Sequence, residues 1–246
     1  MALIDSCIIP DWPAPANVKA LQTTRNGGVS IAPYRSLNLG SHVGDAPLAV
    51  AQNRQLLSPL LPSEPVWLDQ VHGTVVANAN TAGCRPQADA CIATRAGAVC
   101  GVMTADCLPV LLCDARGSVV CAVHAGWRGL CDGVLEQAVR SMNVAPQNLM
   151  AWLGPGIGPQ EFEVGDDVRS AFIAKQPQAA AAFAARLPGK WLADIYQLAR
   201  LRLRALNVTQ IYGGSWCTYS DSERFFSFRR DGNTGQMGTF IWMDQS

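Results

Sequence analysis

The sequence predicts an α+β fold, because apolar runs of strand length follow one another without a strict strand–helix alternation. Three such runs occupy residues 98–103, 108–113 and 118–123. Helical spacing of apolar residues follows at 132–143 and again at 192–206. We therefore expect largely antiparallel sheets with helices packed outside. No repeat and no domain boundary is visible, so residues 1–246 are predicted to form a single domain.

Further elements can be assigned in chain order. Residues 47–61 carry helical spacing that ends before Pro62. Residues 66–77 are expected to form a strand, a loop at 70–73 and a second strand. A short strand is predicted at 149–153. The Ala-rich stretch 166–186 is predicted to be helical throughout.

The C-terminal third adds an amphipathic helix and a predicted hairpin. In the 192–206 helix, the apolar spacing places Leu198 inward and Arg202 outward. The segment "VTQIYGGSWCT" is typical of a strand. The segment "RFFSFRRDGNTGQMGTFIWM" predicts a β-hairpin that turns at Asp231-Gly232.

Composition limits the classes of partner. Lys+Arg and Asp+Glu both number 19, whereas chains that bind nucleic acid usually carry a basic excess. The first residues are interrupted by Asp5 and Pro10, and no apolar run is long enough to span a bilayer. The nine cysteines are odd in number and form no C-x-x-C pair. We expect no nucleic-acid partner, no membrane and a reducing cytoplasm.

One predicted hairpin brings chemically active side chains together. The turn "CDARGS" lies between two apolar runs, and a tight turn would place Cys113 opposite Ser118. The same register places Cys107 opposite His124. Opposed Cβ atoms are about 4.5–5.5 Å apart, a separation that one metal ion can bridge. A bulge in either strand would break this register.

A thiolate and an imidazole are good zinc ligands, and a catalytic zinc takes three protein ligands. The chain has three histidines, so only His42 and His72 can supply another imidazole. Both lie in glycine-flanked turns, "LGSHVGD" and "DQVHGTVV", and spacing does not choose between them. The same adjacency also fits a metal-free site in which Cys107 is a nucleophile and His124 its base.

Several blocks of the sequence resemble one family. "QVHG" at 70–73, "TADCLPVLL" at 104–112 and "VHAGWRG" at 123–129 are similar to the signature blocks of the bacterial laccase-domain proteins. These proteins are also called multicopper polyphenol oxidases or purine nucleoside phosphorylases. The resemblance extends in order through "TTRNGGVS", "SLNLGSHVGD", "GPGIGPQEFEVG" and "WCTYSDSERFFSFRRDGNTGQ", and so covers nearly the whole chain.

The resemblance implies a fold and a ligand set. The fold would be a single domain of four α/β/β/α layers with mixed, largely antiparallel sheets. The ligand set would be one zinc ion held by His72, Cys107 and His124, which favours His72 over His42. Multicopper oxidases need many histidines, and three cannot build a blue-copper centre together with a trinuclear cluster. Copper bound at the single site could still give weak polyphenol oxidase activity in vitro.

The resemblance also implies reactions. Members of the family that this chain resembles cleave adenosine, guanosine, inosine and methylthioadenosine with phosphate, and they also deaminate adenosine. Deamination uses a water whose pKa zinc lowers, together with a carboxylate that carries protons. Asp106, next to Cys107, is the candidate carboxylate, with a local turn role as the alternative. The partners would be purine nucleosides and phosphate, and the chain a monomer or a homodimer.

For phosphate, we expect Arg25 with the backbone of Asn26-Gly27-Gly28, because a glycine-rich turn exposes N–H groups and arginine adds a bidentate clamp. The resemblance places this loop at the pocket. Arg128 is a second candidate for phosphate, with a surface ion pair as the alternative. Four further residues are weaker candidates for the site: Ser30, Asn38, His42 and one of the pair Arg229/Arg230.

Two alternatives to a phosphorylase remain. One is a metal-free cysteine hydrolase using Cys107 and His124, for which the resemblance suggests editing of peptidoglycan precursors. The other is a structural metal or packing role in a protein that acts through an interaction partner.

Overall fold

The computed structural model describes residues 2–81, 83 and 85–244. The strands are β1 Val18–Gln22, β2 Val76–Asn78, β3 Ala90–Ala93, β4 Cys100–Thr104, β5 Leu108–Asp114, β6 Val120–Ala125, β7 Leu149–Leu153, β8 Glu163–Gly165, β9 Phe183–Leu187, β10 Lys190–Ala193, β11 Gln210–Gly213 and β12 Met237–Met243. The α-helices are α1 Pro47–Leu57, α2 Trp127–Asp132, α3 Val134–Ser141, α4 Asp166–Lys175, α5 Ile195–Ala205 and α6 Phe228–Asp231.

The strands form three sheets. The largest has the order β11-β7-β5-β6-β3-β2, with parallel pairs at its two edges and antiparallel pairs between them. A second sheet, β1-β12-β4, is antiparallel. A third small antiparallel sheet has the order β8-β10-β9. This is the mixed, largely antiparallel arrangement that the sequence predicted.

Alternating side chains of the strands build the layers. On the large sheet, Val110 packs toward the helices with Leu135 and Leu203, whereas Leu111 packs toward the β1-β12-β4 sheet. On that second sheet, Ile241 faces the large sheet and Phe240 faces outward, where it clusters with Leu57 of α1. Successive side chains of a strand point to opposite faces, so each sheet buries both faces. The predicted four-layer α/β/β/α architecture is confirmed.

The helices at 47–61 and 132–143 are confirmed in type, with a turn at Gly133 dividing α2 from α3. The helix predicted over 166–186 is too long. It ends at Lys175, and 183–187 is strand β9. Pro177 explains the stop, because a proline disfavours the helical conformation of the residue before it.

Arg202 does not point outward as the sequence predicted. Its side chain donates hydrogen bonds to the carbonyls of Leu130 and Cys131 and forms an ion pair of 3.2 Å with Glu136. It therefore ties α5 to the end of α2. Apolar spacing could not show this, because arginine can satisfy helix-terminal carbonyls while it is largely buried.

The hairpin predicted at Asp231-Gly232 is also wrong. Ser227 caps a short helix, α6, by accepting a hydrogen bond from the Arg230 N–H, and Gly232 ends that helix with φ 66°. Strand β12 then pairs with β1 and β4 rather than with the preceding segment. Of the predicted strands in 66–77 only Val76–Asn78 is regular, with isolated bridges at Val66 and Asp69.

In the part of the chain that the structure describes, no helix is both long and apolar enough to cross a membrane. Cys84, one of the nine cysteines, lies outside the described residues, and the other eight are free thiols.

Candidate metal centre

His72, Cys107 and His124 come together at one end of the large sheet, and they are called here the His–Cys–His cluster. Their ligand atoms lie within 4.8 Å of one another. Among the described residues, this is the one group of three or more His, Cys, Asp or Glu side chains close enough to hold a metal ion. His42 is not part of it, so the structure joins the three residues that the resemblance implied.

The predicted hairpin exists, but its register is shifted by two residues. Cys113 pairs with Val120, and His124 pairs with Pro109 rather than with Cys107. Asp114 causes the shift, since its carboxylate accepts hydrogen bonds from the N–H groups of Ser118 and Val119 and so holds a longer turn. A shift of two preserves which face each side chain occupies, so Cys107 still reaches His124, but diagonally.

The geometry of the cluster fits a tetrahedral ion. Cys107 Sγ lies 3.7 Å from His72 Nε2. Typical Zn–S and Zn–N bonds at a tetrahedral angle place sulfur and nitrogen about 3.5 Å apart. The two imidazole rings are 4.8 Å apart at 72°, so they do not stack and both can turn an edge toward one point.

Asp89 orders this cluster, and the sequence analysis missed it. Its buried carboxylate accepts a hydrogen bond of 2.8 Å from His124 Nδ1. It also accepts hydrogen bonds from the backbone N–H groups of His72, at 2.9 Å, and Gly73, at 2.6 Å. His72 has φ 60°, so these bonds hold a conformation that non-glycine residues rarely adopt. A metal-binding histidine usually donates its second N–H to such a carboxylate, which leaves His124 Nε2 free for the ion.

Two further features hold the loops in place. The Gln70 carboxamide makes two 2.7 Å hydrogen bonds with the backbone of Met103, which anchors the segment before His72 to β4. Gly126 lies against the cluster, and a Cβ atom there would come within 2.5 Å of the His72 ring and 3.2 Å of the Cys107 sulfur. Gly126, in the third signature block, is therefore needed because any larger residue would collide with the His72 ring.

The cluster also sets the charge state of the thiol. Burial alone would raise the pKa of Cys107, but the charges and hydrogen bonds of His124 and His72 outweigh it and lower the pKa to about 6. Burial alone would lower the pKa of His124, but Cys107 and Asp89 raise it to about 9. In the metal-free site, Cys107 and His124 therefore form a thiolate–imidazolium pair. The thiolate is the form of sulfur that binds a metal or attacks an electrophile.

The cluster lies in a cavity of about 340 Å³, called here the cluster cleft. Its apolar lining residues, called here the apolar wall, are Trp127, Ile157, Phe162, Ile195 and Phe228. Its polar lining residues include Thr104 at the end of β4, and Thr234 and Gln236 just before β12. Phe228 is 67% exposed, an unusual exposure for an aromatic side chain that follows the fully buried Phe225 and Phe226.

Asp106 lines the cluster cleft, as predicted, but its carboxylate also has a structural task. One oxygen accepts a hydrogen bond of 2.6 Å from the Thr218 hydroxyl, and the other accepts one of 2.7 Å from the backbone N–H of Arg229. The residue has φ 96°. It therefore connects the Cys107 loop to α6, which carries Phe228. This arrangement matches the turn role that the sequence analysis left as the alternative.

The predicted phosphate loop is not at the cluster cleft. Arg25, Asn26 and Ser30 line a separate cavity of about 480 Å³, called here the Arg25 cavity. Arg25 donates to the carbonyls of Arg35 and Ser222, and its guanidinium lies 4.8 Å from the centre of the Phe226 ring. Two of the amide N–H groups that were expected to cradle an anion are bonded within the fold instead: that of Asn26 donates to the Thr24 hydroxyl and that of Gly28 to the Ser36 hydroxyl.

Of the other predicted residues, His42 and Arg229 line the cluster cleft, whereas Asn38, Arg128 and Arg230 line neither cavity. His42 is exposed and lines the cluster cleft. Partial desolvation of its ring, followed by the charge of Arg85, lowers its pKa. Arg128 is exposed, stacks on Trp127 and does not line the cleft. Of the arginine pair, Arg229 lines the cleft, whereas Arg230 is bonded to the carbonyls of Thr218, Tyr219 and Phe225. Asn38 is buried and bonds to Gly40 and Asp45.

Comparison with known proteins agrees with this architecture. A family described as multi-copper polyphenol oxidoreductase laccase matches residues 19–244. Among similar proteins, purine nucleoside phosphorylase YfiH of Escherichia coli K12 is 54% identical over 96% of this chain and 98% of its own. A purine nucleoside phosphorylase of Pseudomonas aeruginosa is 51% identical over 98% of this chain and 99% of its own.

Solved structures give the same result. A crystal structure of a Neisseria meningitidis protein superposes with a TM-score of 0.95 at 52% identity, covering 98% of this chain and 100% of that one. The structure of YlmD from Geobacillus stearothermophilus superposes with a TM-score of 0.88 at 31% identity, covering 95% and 94%. The chain, with its His–Cys–His cluster, belongs to the family of the multi-copper polyphenol oxidoreductase laccases.

Proposed function

We propose that the chain is a purine nucleoside phosphorylase that works in the cluster cleft with one zinc ion. The observation that carries the proposal is the His–Cys–His cluster at one end of a cavity of about 340 Å³, a volume within the usual range for small-molecule sites. The names of the similar enterobacterial and pseudomonad proteins support the choice of purine nucleosides and phosphate as substrates.

The donor set favours zinc. One thiolate and two imidazoles leave one tetrahedral position open, which is the arrangement of catalytic zinc sites. Copper binds such donors more tightly than zinc, so copper loading and weak polyphenol oxidation are expected when copper is supplied in vitro. When bound, the ion would supply a Lewis acid and lower the pKa of a coordinated water.

In phosphorolysis the bond between the sugar C1′ and the purine nitrogen breaks, and a phosphate oxygen bonds to C1′. The products are the free base and ribose 1-phosphate. The apolar wall of the cluster cleft would hold the purine and exclude water that competes with phosphate. His42, at the same cleft, is the described imidazole outside the cluster that could donate a hydrogen bond to phosphate or to the departing base.

Adenosine deamination is the second reaction we propose for this cleft, with Asp106 as the group that moves protons. Both Asp106 oxygens accept one hydrogen bond each from protein, and each keeps a further lone pair. The alternative, a metal-free cysteine hydrolase, is favoured by the pKa of about 6 at Cys107 beside His124. In that case the Cys107 thiolate would bond to an amide carbonyl carbon, the C–N bond would break and the amine would leave with a proton from His124. Water would then hydrolyse the thioester, as in an enzyme that edits peptidoglycan precursors.

One experiment separates these functions. Zinc-loaded wild type, Cys107→Ala and the control Arg128→Ala are incubated with inosine or adenosine, with and without phosphate, and products are separated by chromatography. We expect phosphate-dependent hypoxanthine from inosine with wild type and with Arg128→Ala, because Arg128 is exposed and outside the cleft. Inosine from adenosine without phosphate would support deamination. No free base in any phosphate-containing tube would overturn the phosphorylase proposal.

We also propose that residues 1–246 act as one domain in the cytoplasm. Strand β12, near the end of the chain, pairs with β1 near its start, and the eight described cysteines are free thiols, as in reducing compartments. A single cooperative unfolding transition, measured by two spectroscopic probes, is the expected result for one domain.

A further inference from the structure

The cluster cleft contains polar groups that the fold does not use. The hydroxyls of Thr104 and Thr234 and the carbonyl oxygen of the Gln236 side chain are buried, and none has a hydrogen-bond partner among the residues that the structure describes. All three residues line the cluster cleft. Other buried threonine hydroxyls do have partners; Thr239, for example, donates to Gln22 at 2.5 Å. Burying a polar group without a partner is costly, so three such groups in one cavity indicate a ligand.

The three residues come from neighbouring segments and are called here the polar wall. Thr104 is the last residue of β4 and pairs with Met237, the first residue of β12, so it lies beside the segment that carries Thr234 and Gln236. Thr104 and Thr234 are only 1% and 4% exposed. The apolar wall, with Phe162 and Phe228, lines the same cavity. The cleft thus offers both an apolar surface and a hydrogen-bonding one.

The chemistry of the polar wall fits a neutral polyol better than an anion. Hydroxyls can donate and accept, and a carboxamide oxygen only accepts. Phosphate offers mainly acceptors, so it would be repelled by that oxygen and would require a cation. The guanidinium of Arg229, the arginine that lines the cleft, donates instead to the carbonyls of Glu161 and Glu163. A vicinal diol matches all three groups, because each of its hydroxyls donates and accepts.

We infer that the polar wall of Thr104, Thr234 and Gln236 is the ribose subsite, and that it selects ribonucleosides over 2′-deoxyribonucleosides. The inference rests on the proposed function, since it takes the substrate of the cluster cleft to be a nucleoside. The purine then lies on the apolar wall and the diol on the polar wall. A substrate without the 2′-hydroxyl leaves a buried protein group without a partner, and such sites discriminate strongly against the incomplete substrate.

The test uses two substitutions that remove a hydroxyl and keep the shape of the side chain, Thr104→Val and Thr234→Val. The control is Thr239→Val, which removes a hydroxyl that is partnered and outside the cleft. Binding of inosine, 2′-deoxyinosine and hypoxanthine to zinc-loaded protein is measured by calorimetry, and release of base is measured by chromatography. The melting temperature of each free protein is recorded as well.

For the wild type we expect inosine to bind about tenfold or more tightly than 2′-deoxyinosine, the value of one hydrogen bond or slightly more. Thr104→Val or Thr234→Val should reduce this ratio toward one while the melting temperature stays the same or rises. Thr239→Val should keep the ratio and lower the melting temperature. Unchanged ratios in both cleft variants, or equal binding of the two nucleosides by wild type, would overturn the inference.

The outcomes also separate this inference from the proposed function. If base is released normally but the cleft variants do not alter the preference, the phosphorylase stands and the ribose subsite does not. If inosine binds with the expected dependence on the two threonines but no base is released, the subsite stands and the phosphorylase does not. If the wild type neither binds nor cleaves any nucleoside, both are wrong.

Discussion

The cluster cleft and the Arg25 cavity are both built from loops that contain glycine, arginine or histidine, but they use their polar groups differently. Around the Arg25 cavity the hydrogen bonds are directed into the fold: Ser30 donates to Asp45, and Asn53 donates to Ser30. In the cluster cleft, the thiol has a lowered pKa, and two buried hydroxyls have no hydrogen-bond partner in the part of the chain that the structure describes. Residue type alone therefore only suggests a candidate site. A binding site differs from a structural loop in having polar groups that make no hydrogen bond within the fold.

The largest expected effect comes from Cys107→Ala. It removes one of three ligands, so the loss of zinc affinity should exceed the roughly 10–100-fold that loss of a supporting group costs. Metal analysis after dialysis, together with base release from inosine, measures it. The fold should persist, because Cys107 lies in a loop between β4 and β5. A variant that keeps stoichiometric zinc and full turnover would show that the cluster is not the metal site.

The thiolate fractions of Cys107 and Cys7 at pH 7 should differ by roughly four orders of magnitude, so Cys107 should be alkylated much faster. In metal-free protein the pKa of Cys107 is about 6, so its thiolate fraction rises as pH increases through 6 and is nearly complete at pH 7. Burial raises the pKa of Cys7 to about 11, so Cys7 stays protonated there. Alkylation by iodoacetamide, located by peptide mass spectrometry between pH 5 and 9, measures both. Equal rates at the two cysteines, or no protection by added zinc, would contradict the account.

Asp89→Asn tests the group that holds the cluster together. The amide has the shape of the carboxylate but has one oxygen in place of two. One Asp89 oxygen accepts from His124 and the His72 N–H and the other from the Val71 and Gly73 N–H groups, so an amide cannot accept on both sides. We expect zinc affinity and turnover to fall by about 10–100-fold, with the loss largest in dilute zinc. Unchanged affinity, measured by competition with a chelator, would mean that Asp89 does not orient the ligands.

Ser30→Ala, at the Arg25 cavity, should lower the stability of the protein and leave its turnover unchanged. Its hydroxyl bonds to Asp45 and Asn53, both in the framework of the Arg25 cavity. Removal breaks both bonds, but Asp45 still accepts from Asn38, and Asn53 still donates to the carbonyls of Ser36 and Asn38. The loss should therefore cost about 1 kcal/mol in the free energy of unfolding. Turnover per folded molecule should stay at the wild-type value, and KM for phosphate should not change. A selective rise in KM for phosphate would instead return the phosphate site to the Arg25 loop.

The smallest effect is expected for Phe228→Ala. Phe228 is mostly exposed at the cluster cleft, so its loss removes part of the purine contact without creating a core cavity. We expect KM for inosine to rise several-fold, in line with roughly 1 kcal/mol for one aromatic contact, while kcat stays near the wild-type value. A fall in kcat at unchanged KM would show that Phe228 affects the reacting bond rather than the base.

The sequence predicted the parts of the molecule that depend on local pattern and on rare residues. Continuous apolar runs of strand length predicted the strands of the hairpin, and the resemblance of the signature blocks implied His72, Cys107 and His124. The register was wrong by two because the Asp114 carboxylate builds a longer turn, a side-chain effect that apolar pattern does not encode. The error was harmless to the ligand set because a shift of two keeps side chains on the same face.

What the sequence could not predict depends on distant contacts. Asp89 lies 35 positions before His124, and no spacing rule connects them. The Arg25 loop has the composition of an anion site, and only the structure shows that its donors are already bonded. The orphan hydroxyls of Thr104 and Thr234 are likewise invisible in sequence, since the same residue type at position 239 is fully bonded.

The measurement that tests the central claim most directly is a crystal structure of the protein with zinc and inosine, with anomalous data collected at the zinc edge. The account predicts one anomalous peak between His72, Cys107 and His124, and inosine in the cluster cleft with its ribose diol against Thr104 and Thr234. A peak at another position, or inosine seated in the Arg25 cavity with the cluster cleft empty of ligand, would contradict it.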